Sequence, residues 1–335
     1  MKTFGILVGL ITIGLGGLLM RTGVQEDRLK IDGASLVNPY SEIDSADMAT
    51  VQSVNAEWVA VIPFGFSKQG QPQLHFNSER QWWGERVDGT KVLVELAQKC
   101  GLKVMIKPHV WVSRFWIGEY DLETEADWLI WEQEYRKYIM TYAQLAAETK
   151  AEMLCIGTEI KFAATQRPEY WSQLADDIRE VYDGKLTYAA NWDSFSAITF
   201  WDKLDYIGVD AYFPLVHEDN PEVADIVEAW APIKEELRAF GQKYERPILF
   251  TEYGYQSANG AAGNHWEVDK SQLNMQAQAN SYQALYEAFS DEPWFVGGFF
   301  WKWHFLGDHG GPGNGDFTPQ NKPAAQVIAR EFAKD

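Results

Sequence analysis

Two glutamates stand out among the residues whose types could do chemistry. Glu159 closes the apolar run Met153-Leu154-Cys155-Ile156-Gly157-Thr158, and Glu252 closes Pro247-Ile248-Leu249-Phe250-Thr251. A short, β-prone apolar run of this kind reads as a strand buried on both faces. An ionised carboxylate at the end of such a strand is costly unless something useful faces it. Either glutamate alone reads equally well as a salt-bridged structural residue. Two of them in the same setting form the pair that hydrolysis of a glycosidic bond needs. One carboxyl protonates the leaving oxygen and the other attacks the anomeric carbon. The first must be kept protonated near neutral pH by partial burial and a neighbouring carboxylate, and the second must stay ionised. Tyr212 could orient Glu252 through its hydroxyl; a core tyrosine with a satisfied hydroxyl is an equal alternative.

The elements that must position this pair alternate regularly. Strands are predicted over residues 30–37, 58–66, 103–110, 152–160, 185–192, 204–213, 247–255 and 296–304. Helices are predicted over 44–56, 85–100, 125–150, 168–182, 221–244, 270–290 and 322–333, with a weak helical signal over 194–203. Pro168 and Pro221 suit a first helical turn, Asp44 or Ser45 can cap the first helix, and Gly101 and Gly184 sit where helices must stop. Eight buried parallel strands covered by helices predict a single-domain (β/α)8 barrel over residues 25–335. A doubly wound open sheet is the alternative, but no G-x-G-x-x-G or P-loop follows the first strand.

Polar residues gather at the C-terminal ends of these strands, where a barrel builds its mouth. The third strand ends in Lys107, His109 and Trp111, and the fourth in Thr158 and Glu159. The fifth ends in Asn191 and Trp192, the sixth in Asp210 and Tyr212, the seventh in Glu252. The eighth ends in Trp301, Lys302, Trp303 and His304. Packing alone does not predict polarity at one end only. The long connections 67–84, 112–124, 256–269 and 306–321 fall on the same side.

A formal charge of -19 argues against a nucleic-acid or anionic-lipid partner and leaves neutral polymers open. Aromatics form 14% of the chain, including 15 Trp, enough to supply both a core and flat faces for sugars. Two cysteines, Cys100 and Cys155, make no disulfide framework and read as buried free thiols. Lys2, an apolar run from Phe4 to Met20, and Arg21 form an export signal over residues 1–24, either cleaved or kept as a membrane anchor.

The phrases Lys107-Pro108-His109, Ile156-Gly157-Thr158-Glu159, the run from Asp205 to Pro214, and Phe250-Thr251-Glu252-Tyr253-Gly254 resemble the retaining (β/α)8 glycoside hydrolases. They most resemble glycoside hydrolase family 113, known for β-1,4-mannanases. The resemblance covers essentially everything after residue 28. It implies Glu159 as acid/base, Glu252 as nucleophile and Trp301 as an aromatic platform under the sugar at the cleavage site. Most of the wider clan places Asn before the acid/base, to bond the sugar 2-hydroxyl. Thr158 stands there in this chain, so that contact must come from Thr158 differently, or from Asn191, Lys107 or His109. Because mannose and glucose differ at that hydroxyl, the departure bears on the sugar more than on the mechanism.

A metal-dependent hydrolase is a poorer reading, because no two of the six histidines form H-x-H or H-E-x-x-H. The glycine-rich stretch 307–316 carries two Asp and no Lys or Arg, which suits a mobile substrate-side loop better than a phosphate site. A non-catalytic carbohydrate-binding barrel would keep the tryptophans but need not keep both carboxylates. We therefore expect a monomeric polysaccharide or oligosaccharide hydrolase with no cofactor and no metal.

Overall fold

Eight of the apolar runs become parallel strands and close on one another. The structure, a computed structural model, describes residues 30–305 and 307–334, so the expected export segment lies outside the described residues. In chain order the barrel strands are β1 (Ile31–Leu36), β2 (Trp58–Val61), β4 (Lys103–Ile106), β6 (Met153–Thr158), β7 (Lys185–Asn191), β8 (Ile207–Asp210), β9 (Ile248–Tyr253) and β10 (Phe295–Trp303). Each pairs with its neighbour in chain order, and β10 returns to β1, so the barrel is closed and the open-sheet alternative falls.

Two predicted strands are broken by prolines. Pro63 ends β2, and a separate strand, β3 (Phe64–Ser67), follows; Pro108 ends β4, and β5 (His109–Val112) follows. Proline lacks the N–H that a central ladder needs. Beyond these breaks β3 and β5 pair in parallel as a small second sheet, which prolongs this part of the barrel wall past the rim.

Helices cover the outside. The principal ones are α1 (Ser45–Ala49), α2 (Val87–Lys99), α3 (Glu125–Thr149), α5 (Pro168–Arg179), α6 (Val223–Tyr244), α7 (Met275–Phe289) and α8 (Pro323–Phe332). Asp44 caps α1 through a reciprocal bond pair with Asp47, and Pro168 and Pro323 open α5 and α8. Gly101 leaves α2 with φ +80, a conformation that glycine adopts at little cost. The sequence reading missed α4 (Lys161–Gln166), one and a half turns directly after Glu159. No helix among the described residues is long and apolar enough to cross a membrane.

Inside the barrel Ile31, Ala60, Met105, Met153, Cys155, Leu249 and Phe299 fill a compact core. A larger apolar layer lies between strands and helices, and one of its aromatic clusters stands behind β6. Tyr135 of α3 stacks on Trp131 at 4.7 Å, packs edge-on against Trp171 at 5.3 Å, and donates its hydroxyl to the Ile156 carbonyl at 3.0 Å. A Cβ on Gly157 would come within 2.8 Å of both Trp171 and Tyr188. The strand that delivers Glu159 is therefore clamped from behind by rings. Cys155 is buried, but Cys100 is only half-buried, because it closes α2 near the surface.

Candidate active site

The site is built from the ends of β4, β6, β8 and β9. Glu252 lies within β9, and Glu159 follows the last residue of β6. Glu159 has φ 55, left-handed for a residue with a side chain. Its N–H still donates to the Ala189 carbonyl of β7 at 2.8 Å, and its own carbonyl accepts from Lys161 at 2.8 Å. The backbone thus turns sharply from strand into α4 at Glu159.

Glu252 is held at every oxygen. Tyr212 donates to its Oε2 at 2.8 Å, and the Lys107 ammonium contacts its Oε1. His109 Nε2 lies 3.4 Å from the same Oε1. Lys107 also reaches Asp210 at 3.3 and 3.4 Å, and Thr251 donates to Asp210 at 2.7 Å. Lys107 and Asp210 are both wholly buried. One buried cation cannot neutralise two buried anions, and the two carboxyls respond in opposite directions. Burial by itself raises Glu252, but Lys107 and His109 outweigh it and hold the carboxyl well below the usual glutamate range. Asp210 is pushed up by burial and by the charge of Glu252. Burial works against the charge on Lys107, yet Asp210 and Glu252 keep it firmly protonated. His109 is pushed down, by burial and by Lys107, and is neutral.

Glu159 behaves unlike Glu252. Burial raises it, and the negative charge of Glu252 raises it further, to about 7. Among the described residues its side-chain hydrogen-bond donor is the indole N–H of Trp116, at 2.7 Å from Oε2. That indole comes from the loop after β5 and rests on Gly118, where any Cβ would overlap the ring. Two carboxyls in mutual electrostatic contact therefore sit at opposite ends of the carboxylate range.

Most residues named from the sequence converge here, though not all face the opening. The Trp301 ring lies parallel to His109 at 6.2 Å, with an interplanar angle of 7°. Trp111 is 58% exposed, farther out along the wall. Thr158 donates to the Pro108 carbonyl at 3.3 Å, and Asn191 to Asp193 at 2.9 Å, so both are engaged within the protein. Trp192 is half-buried against Phe213 at 5.7 Å. Three expectations need correction. Lys107 and Asp210 lie under Glu252 and are sealed from any substrate, because the cation must be desolvated with its partners. Trp303 faces the helix layer and donates its indole N–H to Thr50 at 3.1 Å. The register of β10 shifts between Trp301 and Trp303 against β1, which reverses the face expected of residues two apart.

Trp116, Thr251 and His265 were not singled out by the sequence. His265 packs on Tyr212 at 5.0 Å. The available signal was weak: Trp116 belongs to a loop assigned to the mouth, but its reach to Glu159 depends on how that loop folds back. The glycine-rich stretch is tethered rather than free, with Asp316 bound by Lys270 at 3.0 Å and Lys302 at 3.3 Å. Among the described residues no group of His, Cys, Asp or Glu is placed to hold a metal ion. Between β10 and the β3–β5 sheet opens a cleft of ≈ 750 Å³, lined by Trp301, Phe64, Phe66, Trp82 and Trp111 among others.

Solved structures resemble this chain over nearly its whole length. The β-mannanase AaManA of family 113 from Alicyclobacillus acidocaldarius, in complex with ManMIm, superposes with a TM-score of 0.81 at 27% identity, over 92% of this chain and 98% of that one. A family 113 β-1,4-mannanase, solved as a complex, gives 0.79 at 24% identity over 91% and 99%, a likeness of fold. The β-glucuronidase of Faecalibacterium prausnitzii shares the fold at 14% identity and 0.61, over 91% of this chain and 49% of its own. No curated protein matches. The family model of Glycoside Hydrolase Family 113 matches residues 39–321, most of the chain and all four strand ends that build the site. The chain belongs to glycoside hydrolase family 113.

Proposed function

We propose that this chain hydrolyses β-1,4-mannan with retention of anomeric configuration, Glu159 serving as acid/base and Glu252 as nucleophile. The observation that carries this reading is the opposite bias on the two carboxyls. Lys107 and His109 hold Glu252 ionised, with the Tyr212 hydroxyl on its second oxygen, while Glu159, raised to about 7, carries a proton in a large share of molecules at neutral pH. In the first step a Glu252 oxygen bonds to the anomeric carbon, the glycosidic C–O bond breaks, and the Glu159 proton goes to the leaving oxygen. In the second, Glu159 takes a proton from water as the water oxygen attacks, and the ester bond to Glu252 breaks. Mannan as the polymer is supported by family membership and by the AaManA likeness.

A hydrolysis screen on mannan, glucomannan, xylan, chitosan and β-glucans tests the substrate, and NMR of the first product tests retention. Hydrolysis of mannan with the β-anomer formed first is the expected result. Binding without hydrolysis of any of these would favour the non-catalytic barrel. We further propose an endo-acting, monomeric and exported enzyme: the cleft holds ≈ 750 Å³, and the run from Phe4 to Met20 has export-signal character. Product sizing, gel filtration and cell fractionation check these three.

A further inference from the structure

The small β3–β5 sheet is more than a continuation of the wall. Its register sets Phe64 opposite His109 and Phe66 opposite Trp111. Side chains alternate along a strand, so these four share one face, while Gly65, Ser67, Val110 and Val112 share the other. The second set is buried, and the four rings are half-buried or exposed. One face of the sheet is therefore made of rings, and three of them, Phe64, Phe66 and Trp111, line the cleft. The rings form a continuous row. Trp301 lies parallel to His109 at 6.2 Å, His109 meets Phe64 at 5.4 Å, and Phe64 meets Phe66 at 6.4 Å, with Trp111 opposite Phe66 in register. Trp82, 44% exposed and packed at 5.1 Å on Tyr40, lines the same cleft.

An aromatic face left open in this way costs free energy unless it meets a partner. The row starts at His109, 3.4 Å from Glu252, so whatever lies on it is continuous with the substrate held there. The leaving part of the substrate must lie toward Glu159, the proposed proton donor, which carries the Trp116 indole on its Oε2. The row leads away on the Glu252 side. We propose that the β3–β5 sheet is a glycan-binding ledge that stacks the distal sugars of the retained part of a β-linked chain, with Phe66 and Trp111 as its outer platforms. This rests on the proposed glycosidase reading and adds that the enzyme requires long chains. The partner is a neutral glycan: pyranose rings present flat C–H faces that match aromatic faces, and Arg80 in the lining of the cleft supplies a polar edge.

Calorimetric titration of mannohexaose and mannobiose into a Glu252→Ala protein tests the ledge without depending on turnover. Adding Trp111→Ala or Phe66→Ala to it should weaken hexaose binding about tenfold while mannobiose changes much less, and Trp111→Phe should restore most of the loss. Equal loss for both ligands, no loss for hexaose, or no hexaose binding by the parent protein would each overturn the proposal. Hydrolysis of mannan by the unmodified chain is scored separately. A chain that cleaves mannan yet shows no length-selective effect of Trp111→Ala loses the ledge and keeps the proposed function.

Discussion

Lys107 and Glu252 meet as a buried ion pair beneath the mouth of the barrel, with the ammonium on Oε1 and the Tyr212 hydroxyl on Oε2. The pair explains how a carboxyl at the end of an apolar strand remains an anion. Removing its cation should be severe. Lys107→Met leaves Glu252 and Asp210 buried without their cation, and truncating one member of such a pair costs about 3–5 kcal/mol. A lower melting temperature is expected, together with a kcat/KM whose acid limb moves to higher pH, because Glu252 would then hold a proton more tightly. A pH–rate profile with an unmoved acid limb would show that Lys107 does not set the charge of Glu252.

In the proposed reaction the roles of the two glutamates differ in time. Glu252→Ala should lose turnover on every substrate, since no ester can form, and azide should rescue it with inverted product. Glu159→Ala should still form the ester from an aryl glycoside whose leaving group needs no proton. Azide should then restore turnover with retention. If the two phenotypes were exchanged, the assignments would be reversed.

The pH dependence follows from the directions of the two shifts. Glu159 acts protonated and is raised to about 7, so kcat/KM should fall as pH rises through about 7. Glu252 acts ionised and is held low, so the acid limb should lie below the ordinary glutamate range. Besides Trp116, the groups facing Glu159 are Glu252, Lys107 and Asp193. The Trp116 N–H stabilises the ionised form. Trp116→Phe removes it, which should raise Glu159 further and move the basic limb to higher pH. Gly118→Ala, by displacing the indole, should move the same limb in the same direction. Basic limbs unchanged in both variants would show that Trp116 is a bystander.

Tyr212→Phe keeps the ring on His265 and removes one hydrogen bond to a charged acceptor, worth about 1.5–3 kcal/mol. If the bond persists in the transition state, kcat/KM should fall roughly 10–100-fold. A change in KM alone would mean that the tyrosine contacts substrate instead of orienting Glu252.

A structural check concerns the support of β6. Gly157→Ala places a methyl against Trp171 and Tyr188, so overpacking should cost about 1–3 kcal/mol. Thermal melting measures it, and an unshifted midpoint would show that the ring cluster yields easily.

The sequence by itself determined the eight barrel strands, the barrel class and the two carboxyls at the strand ends. Each of these is written in local pattern: an apolar run of fixed length, a polar residue at its end, a helix period between. Glu159, Glu252 and Tyr212 were legible because a strand end in a barrel has only one mouth to face. His109 and Trp301 were legible for the same reason.

Tertiary structure decided what depends on contacts between distant segments. Pro63 and Pro108 were visible as prolines, but that the pieces after them would pair and turn an aromatic face to the cleft required two loops to meet. Trp303 followed local alternation in the reading, and a register shift against β1 turned it outward. Lys107 read as a group reaching for substrate; packing placed it below Glu252, where desolvation makes its charge a support for the anion. Trp116 reached Glu159 across 43 residues of chain because a loop folded back over Gly118. Local periodicity reports which way a side chain points from its own strand. Where a loop lands, and which charge is buried against which, is settled by the packing of all the strands and loops together.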